Sequence, residues 1–174
     1  MTEGLGEITT CYTVTFHRTS KHAPARLWRA LTDPDELGIW MEAPAKVDLR
    51  VGGEYFVDFH GNGERGLDGV IVRLEAERNL AYVWGTSVCE FTISDGGDGC
   101  TYTFVQTGLA DRGQGEEGLA AGWQGFFDQL DMTLDGRSFD RDVEAEKWER
   151  RKPAYAAMLD DALKVRTPGV ATDD

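Results

Sequence analysis

The side chains that could do chemistry in this 174-residue chain are few and scattered. Asp58 and His60 lie two residues apart on a predicted strand, where Asp58 could orient His60 as a general base. Tyr55, Val57 and Phe59 form the more apolar face of the same strand, which favours that face for the interior. The sequence therefore leaves two hypotheses open, a base inside a cavity and a solvent-facing Asp–His pair at a hairpin end.

Motifs for metal binding and for nucleophilic catalysis are missing from the sequence. The three histidines do not occur at HxxxH or HExxH spacing, and no GxSxG segment is present. Cys11, Cys89 and Cys100 form no CxxC pair and do not stand at metal-ligand spacing. We therefore predict no catalytic residue, no metal ion and no cofactor. Three cysteines cannot all pair with one another, which is typical of a protein in the reducing cytoplasm.

Two glycine-rich segments look like ligand-binding loops but lack the required context. Residues 61–66 match GxGxxG, yet a strand rather than a helix is predicted after them, which indicates a hairpin turn. Residues 95–99 carry two carboxylates among glycines but lack the ligand spacing of a calcium loop, which indicates a solvated turn. Arg50 is left with two interpretations, a contact to a ligand carboxylate at a cavity mouth or a surface ion pair.

The composition limits the class of protein and its partners. With 41% hydrophobic and 28% charged residues, the chain has the profile of a single soluble globular domain. Its net charge of -13 disfavours nucleic acid and anionic membranes as partners, because both are bound through Lys and Arg. No apolar run approaches the roughly 20 residues needed to cross a bilayer, and the first twenty residues lack a secretory leader. We predict a cytoplasmic protein without membrane insertion.

The elements that must position these residues follow from hydrophobic periodicity. An alternating stretch within Gly4–Arg18 predicts a strand, and two short helices follow, the second with Asp33 as N-cap, Pro34 at its first position and Glu36 at its third. Period-two alternation then predicts six antiparallel strands: Lys46–Leu49, Glu54–His60, Leu67–Glu75, Leu80–Thr86, Val88–Ser94 and Thr101–Thr107. Gly52 and Gly53, before the second of these, suit positive φ angles.

The carboxyl-terminal part of the sequence is helical in character. Leu119–Leu134 carries an apolar stripe and stops at Gly136, whereas Pro153 should kink or restart the helix that follows. We predict a helix-grip domain over residues 1–138, a helical extension of the same domain over 139–166, and a flexible tail over 167–174. The extension carries an apolar stripe that either packs back on the domain or forms a homodimer interface.

This order of elements predicts an α+β fold in which a curved antiparallel sheet of about six to seven strands wraps around the Leu119–Leu134 helix. That helix is the only predicted element long enough to cover the apolar face of the sheet. A curved sheet that grips a helix leaves a wedge between the two, and such wedges hold apolar ligands.

Five sequence segments carry a resemblance to a known family. They are Phe16–Arg18, Leu27–Pro34 leading to Leu37 and Trp40, Asp48–Gly53, Gly69–Ile71 with Leu80–Trp84, and Gly122-Trp123 before Leu130. In this order, from Phe16 to Gly136, they resemble the START-like helix-grip (SRPBCC) superfamily. Within it, the match is to the activator of heat-shock-protein-90 ATPase homologue-like family. The resemblance implies the helix-grip fold; members bind lipids or other apolar molecules, cyclise polyketides, or dock on a chaperone.

We therefore expect a binding protein for a small apolar or amphipathic ligand. Its cavity candidates are Trp28, Trp40, Tyr55, Val57, Phe59, Trp84, Phe91, Trp123 and Phe127. Ordinary core packing is the competing explanation for the tryptophans. Two alternative functions stay open, a cavity-based enzyme of the polyketide cyclase or hydrolase type and a chaperone- or protein-interaction domain.

Overall fold

Twelve helices and strands build the described part of the chain. The structure is a computed structural model that describes residues 7–9, 13–59, 69–108 and 116–166. Its elements are β1 (Glu7–Thr9), β2 (Thr13–Ser20), α1 (Pro24–Thr32), α2 (Pro34–Trp40), β3 (Ala45–Val47), β4 (Glu54–Val57), β5 (Gly69–Glu75), β6 (Asn79–Trp84), β7 (Ser87–Asp95), β8 (Cys100–Thr107), α3 (Glu116–Leu134) and α4 (Arg141–Arg166).

The strands form one antiparallel sheet of eight in the order β1-β2-β8-β7-β6-β5-β4-β3. Because β2 pairs with β8, Phe16 lies opposite Phe104, which in turn lies opposite Phe91 on β7. These three rings form a row across the inner face of the sheet. Phe127 of α3 lies against the row, with ring centroids 5.1 Å from Phe16, 5.1 Å from Phe104 and 6.1 Å from Phe91. The helix is thus held on the sheet by edge contacts between aromatic rings.

The predicted α+β helix-grip fold is confirmed, with one change at its start. The strand predicted within Gly4–Arg18 is two strands, because β1 and β2 pair antiparallel with Glu7 opposite Thr15. The sequence did not indicate this division, because the alternating pattern runs through both strands and no Gly or Pro lies between them. The strand predicted to reach His60 ends at Val57.

Asp33 is the N-cap of the second helix, as predicted, but Glu36 does not complete a capping box. Asp33 Oδ1 accepts hydrogen bonds from the backbone amides of Asp35 (3.0 Å) and Glu36 (3.1 Å). The Glu36 carboxylate, which a full capping box would direct back to Asp33, instead pairs with Arg26 and Arg29 at 2.5 Å each. The acidic residue at this position therefore links α2 to α1.

The two adjacent glycines before β4 are needed for different reasons. Gly52 has a φ of 82°, as predicted for both. Gly53 has no positive φ; a Cβ there would lie 2.0 Å from the carbonyl oxygen of Asp48. Gly53 is therefore required by close backbone approach and not by its φ angle.

The last helix, α4, runs without a break from Arg141 to Arg166 and contains Pro153. Of the two outcomes predicted for this proline, the restart is wrong, and the kink stays a prediction. Contacts on either side hold both halves of the helix against α3, since Arg151 pairs with Asp128 at 2.5 Å and the Tyr155 hydroxyl donates to Gln124 Oε1 at 2.8 Å. The tail predicted over 167–174 lies outside the described residues.

Within the described ranges, no helix combines the length and apolar character that crossing a bilayer requires.

Candidate ligand site

Four aromatic rings form a closed circuit where the sheet meets α3. Phe59 and Trp84 have centroids 5.9 Å apart, Trp84 and Trp123 5.5 Å, Trp123 and Phe126 5.9 Å, and Phe126 and Phe59 5.8 Å. We call these four residues the aromatic wedge. Each ring contacts two others, so the wedge is a continuous apolar surface and not a set of separate contacts.

Three elements place the wedge at one end of the sheet. Phe59 lies two residues beyond the end of β4, and Trp84 is the last residue of β6, directly before the turn at Gly85. Trp123 and Phe126 are three residues apart on α3, which puts both on the face directed at these strand ends. The wedge therefore depends on the sheet and on the helix equally.

The wedge extends from the packed core, to which Trp123 belongs, to the surface. Phe59 is 39% exposed and Trp84 is half-buried, whereas Trp123 is 3% exposed. Exposed apolar area of this kind costs free energy that a bound apolar molecule recovers by covering it. The wedge thus has a buried floor and a solvent-accessible rim.

A buried hydrogen bond fixes the floor of the wedge. Trp123 Nε1 donates to Gln106 Oε1 at 2.7 Å, and Gln106 is 3% exposed. Gln106 lies on β8 in the same alternating set as Tyr102 and Phe104, so it is a polar residue on the apolar face. Sequence reasoning missed both Gln106 and Phe126. A polar residue in an inward-facing set was the signal for Gln106, whereas Phe126 gave no signal that separated it from core residues.

Six of the nine predicted cavity residues lie in the packed core and outside the wedge, and a seventh, Trp123, belongs to both. Trp40 Nε1 donates to the Ala30 carbonyl oxygen at 2.9 Å, and the Tyr55 hydroxyl donates to that of Leu31 at 2.8 Å. These two bonds join α2 and β4 to α1. The remaining core positions among the nine are Trp28, Val57, Phe91 and Phe127. Only Phe59, Trp84 and Trp123 are brought together in the wedge, and their role as a binding surface stays a prediction.

The buried titratable groups behind the wedge are poor nucleophiles. Burial raises the pKa of the Cys89 thiol and of the Tyr82 and Tyr55 hydroxyls, which keeps all three protonated at neutral pH. Cys89 and Cys100 are unpaired and buried, and Cys11 lies outside the described residues. In the part of the chain that the structure describes, no three His, Cys, Asp or Glu side chains are grouped to hold a metal ion.

The remaining candidates from the sequence have simpler surroundings. Arg50 is exposed and pairs with Asp48, Nε to Oδ2 at 2.8 Å, which matches the surface ion pair and not the ligand contact. Gly97 N–H donates to Asp95 Oδ1 at 3.0 Å in an exposed turn, as predicted for residues 95–99. His60 and the GxGxxG segment over 61–66 lie outside the described residues, so the Asp58–His60 hypothesis remains a prediction.

Comparison with known proteins identifies the family. The sequence profile of the Activator of Hsp90 ATPase homolog 1-like protein family matches residues 21–135, from just before α1 to just after the end of α3. The chain belongs to this family. The match ends before α4 begins. No curated protein sequence matches the chain significantly.

Solved structures of other proteins share the fold of this chain. Protein MLL2253 from Mesorhizobium loti is 27% identical with a TM-score of 0.65, over 73% of this chain and 99% of that one. CalU16 from Micromonospora echinospora is 24% identical with a TM-score of 0.68, over 84% and 88%. EF2215 from Enterococcus faecalis, described as a conserved protein of unknown function, is 18% identical with a TM-score of 0.73, over 91% of each chain. The last two likenesses concern the fold alone.

Proposed function

We propose that the protein binds a small apolar or amphipathic molecule at the aromatic wedge. The observation that carries this proposal is the closed circuit of four rings, of which Phe59 is 39% exposed. The adjacency of the four rings distinguishes the wedge from singly exposed apolar residues such as Val72. A ligand that covered Phe59 and Trp84 would gain apolar contact without displacing the buried Trp123.

The fixed floor of the wedge supports ligand binding. Because Gln106 holds the Trp123 indole in place, the surface is organised before a ligand arrives, which lowers the entropy cost of binding. Among the described residues, the nearby buried thiol and hydroxyls are held protonated, so no specific observation favours the cyclase or hydrolase alternative.

The experiment is a fluorescence titration with N-phenylnaphthylamine, an apolar probe that brightens in apolar surroundings. Phe59→Ala and Trp84→Ala remove the two rim rings and should weaken binding by about tenfold or more, since each large side chain contributes on the order of 1.5–3 kcal/mol of apolar contact. Val72→Ala is the matched control, because Val72 is 48% exposed on β5 and does not belong to the wedge. Equal affinity in all three variants would refute the proposal.

Native mass spectrometry of freshly purified protein adds the identity of a retained ligand. A mass excess that disappears on denaturation gives the mass of the ligand, which narrows the set of candidate molecules. The same spectrum tests the further proposal of a homodimer through α4, whose Trp148 remains 37% exposed. The unpaired Cys89 and Cys100 support the proposal that the protein works in the reducing cytoplasm.

A further inference from the structure

The exposed rim of the aromatic wedge consists of aromatic rings. Phe59 is 39% exposed and Trp84 is half-buried, so a ligand reaches both rings without displacing the buried Trp123. Aromatic rings carry partial negative charge on their faces, and an exposed ring therefore attracts a cation and repels an anion. Ligands with head groups of opposite charge are expected to differ in their affinity for such a rim.

The described stretches of chain that build this end of the sheet and the adjoining turns of α3 carry a single charged residue. That residue is Asp58, a carboxylate next to Phe59, and the stretches are 55–59, 82–88, 104–108 and 118–126. None of these stretches supplies a Lys or Arg that could pair with the carboxylate or phosphate of an anionic ligand. Arg141 lines a hollow together with Phe126, but its Nε lies 2.5 Å from Glu42 Oε1, so that charge is already neutralised.

The charge of the rest of the chain also favours a cation. The net charge is -13, and a summed charge of this size attracts cations to the surface and repels anions. By sequence, the segments 60–68 and 109–115 on either side of these stretches add more acidic than basic residues: Glu64, Asp68 and Asp111 against Arg65 and Arg112. Local and overall charge therefore favour the same sign of ligand.

We propose that the ligand of the aromatic wedge is a cationic amphiphile, an apolar body that carries an ammonium or quaternary ammonium group. The body covers the rings of Phe59 and Trp84, and the cation lies at the rim against a ring face. The inference rests on the proposed function, because it names the chemistry of the ligand at that same site. Fatty acids and other anionic amphiphiles are disfavoured there.

The test is displacement of N-phenylnaphthylamine from the full chain at neutral pH by octyltrimethylammonium, octanol and octanoate. These three molecules have apolar chains of nearly the same length and differ in the charge of the head group. Octyltrimethylammonium should bind about tenfold or more tightly than octanoate, because attraction to the rings replaces repulsion by the acidic protein. Octanol should lie between the two.

Two lysine substitutions separate charge at the rim from charge on the whole molecule. Thr86 is exposed in the turn directly after Trp84 and Gly85, and Thr86→Lys should narrow the ratio of the two affinities by about threefold or more. Thr101→Lys adds the same charge at the far end of β8, roughly 20 Å away along the strand. The ratio should be unchanged in that control, because screening is effective beyond about 8–10 Å.

The possible failures can be told apart. If N-phenylnaphthylamine does not bind, or binds equally to Phe59→Ala, Trp84→Ala and the unaltered protein, the proposed function fails and the inference fails with it. If the probe binds at the wedge but octanoate displaces it as well as octyltrimethylammonium does, only the inference fails.

The variants give two further ways to overturn the inference. Full affinity of Trp84→Ala for octyltrimethylammonium, measured by isothermal titration calorimetry, would place the cation elsewhere on the protein. An unchanged ratio in Thr86→Lys would show that charge at the rim does not select the ligand. If either variant shows no cooperative unfolding transition, the comparison of the three ligands on the unaltered protein decides.

Discussion

The aromatic residues of this protein fall into two groups with different roles, and the residue type alone does not show to which group each belongs. Trp40 and Tyr55 are buried and donate hydrogen bonds to carbonyl oxygens of α1, so each links its own element to α1. Phe59 and Trp84 contact other rings and remain open to solvent. The two groups differ in whether the fold places a hydrogen-bond acceptor beside the side chain and buries it under other residues.

The Trp123–Gln106 hydrogen bond gives a prediction at this scale. Trp123→Phe leaves Gln106 Oε1 buried without its donor, and the free energy of unfolding should fall by about 1–3 kcal/mol. Urea unfolding followed by circular dichroism measures the change. Adding Gln106→Leu to Trp123→Phe removes the unpaired acceptor while keeping the same smaller ring, so the double variant should recover part of the loss. A double variant less stable than the single one would contradict this account.

Sequence reasoning reached the aromatic residues but not their partners. The alternation in β8 marks Tyr102, Phe104 and Gln106 as one face, so a polar residue in an apolar set was visible. That Trp123 would be its donor was not visible, because the two residues belong to a strand and a helix whose relative position only packing decides. For the same reason the nine predicted cavity residues divided into core and wedge only in the structure.

At the scale of elements, α4 shows how tertiary contacts override a local signal. Pro153 removes one backbone donor and disfavours helix at the preceding turn. The Arg151–Asp128 pair and the Tyr155–Gln124 hydrogen bond nevertheless hold residues on both sides of it against α3. The sequence predicted the short helices, their cap and most strands, because those signals are local. It left a restart of the helix at Pro153 open because the contacts that maintain α4 are between elements.

Replacing the proline provides the corresponding prediction. Pro153 is exposed, so Pro153→Ala loses little packing and restores a backbone N–H inside α4. The free energy of unfolding should rise, by about 1–3 kcal/mol. Thermal unfolding measures it, with Ala157→Gly as a control at another exposed position of α4 that should lower stability by about 1 kcal/mol. A fall in stability for Pro153→Ala would mean that the proline ring itself is needed.

At the scale of the whole molecule, buried phenols connect stability to alkaline pH. Burial is the largest cause that raises the pKa of the Tyr55, Tyr82 and Tyr102 hydroxyls above their ordinary value. A raised pKa means that the folded state holds these protons more tightly than the unfolded state. The resulting stability is fully present below about pH 10, the ordinary tyrosine pKa. It is lost as the pH rises above that value.

We therefore expect the free energy of unfolding to fall steeply above about pH 10. Urea unfolding at a series of pH values measures the slope, and phenolate absorbance reports ionisation in the same samples. Tyr82→Phe removes one of the buried groups and should make the slope shallower. Formation of phenolate at those three positions near pH 10 in a protein that stays folded would show that burial does not hold the protons.

The pairing of β2 with β8 has a consequence for how the chain acquires its structure. Phe16 finds its partner Phe104 only after seven intervening elements have been made, and the covering ring of Phe127 comes later still. Contacts so distant in sequence raise the contact order, which slows folding in small proteins. During synthesis β2 leaves the ribosome before β8 and α3 are made, so its apolar face has no partner until they emerge. We therefore expect the domain to fold after α3 has emerged and not progressively from its amino terminus.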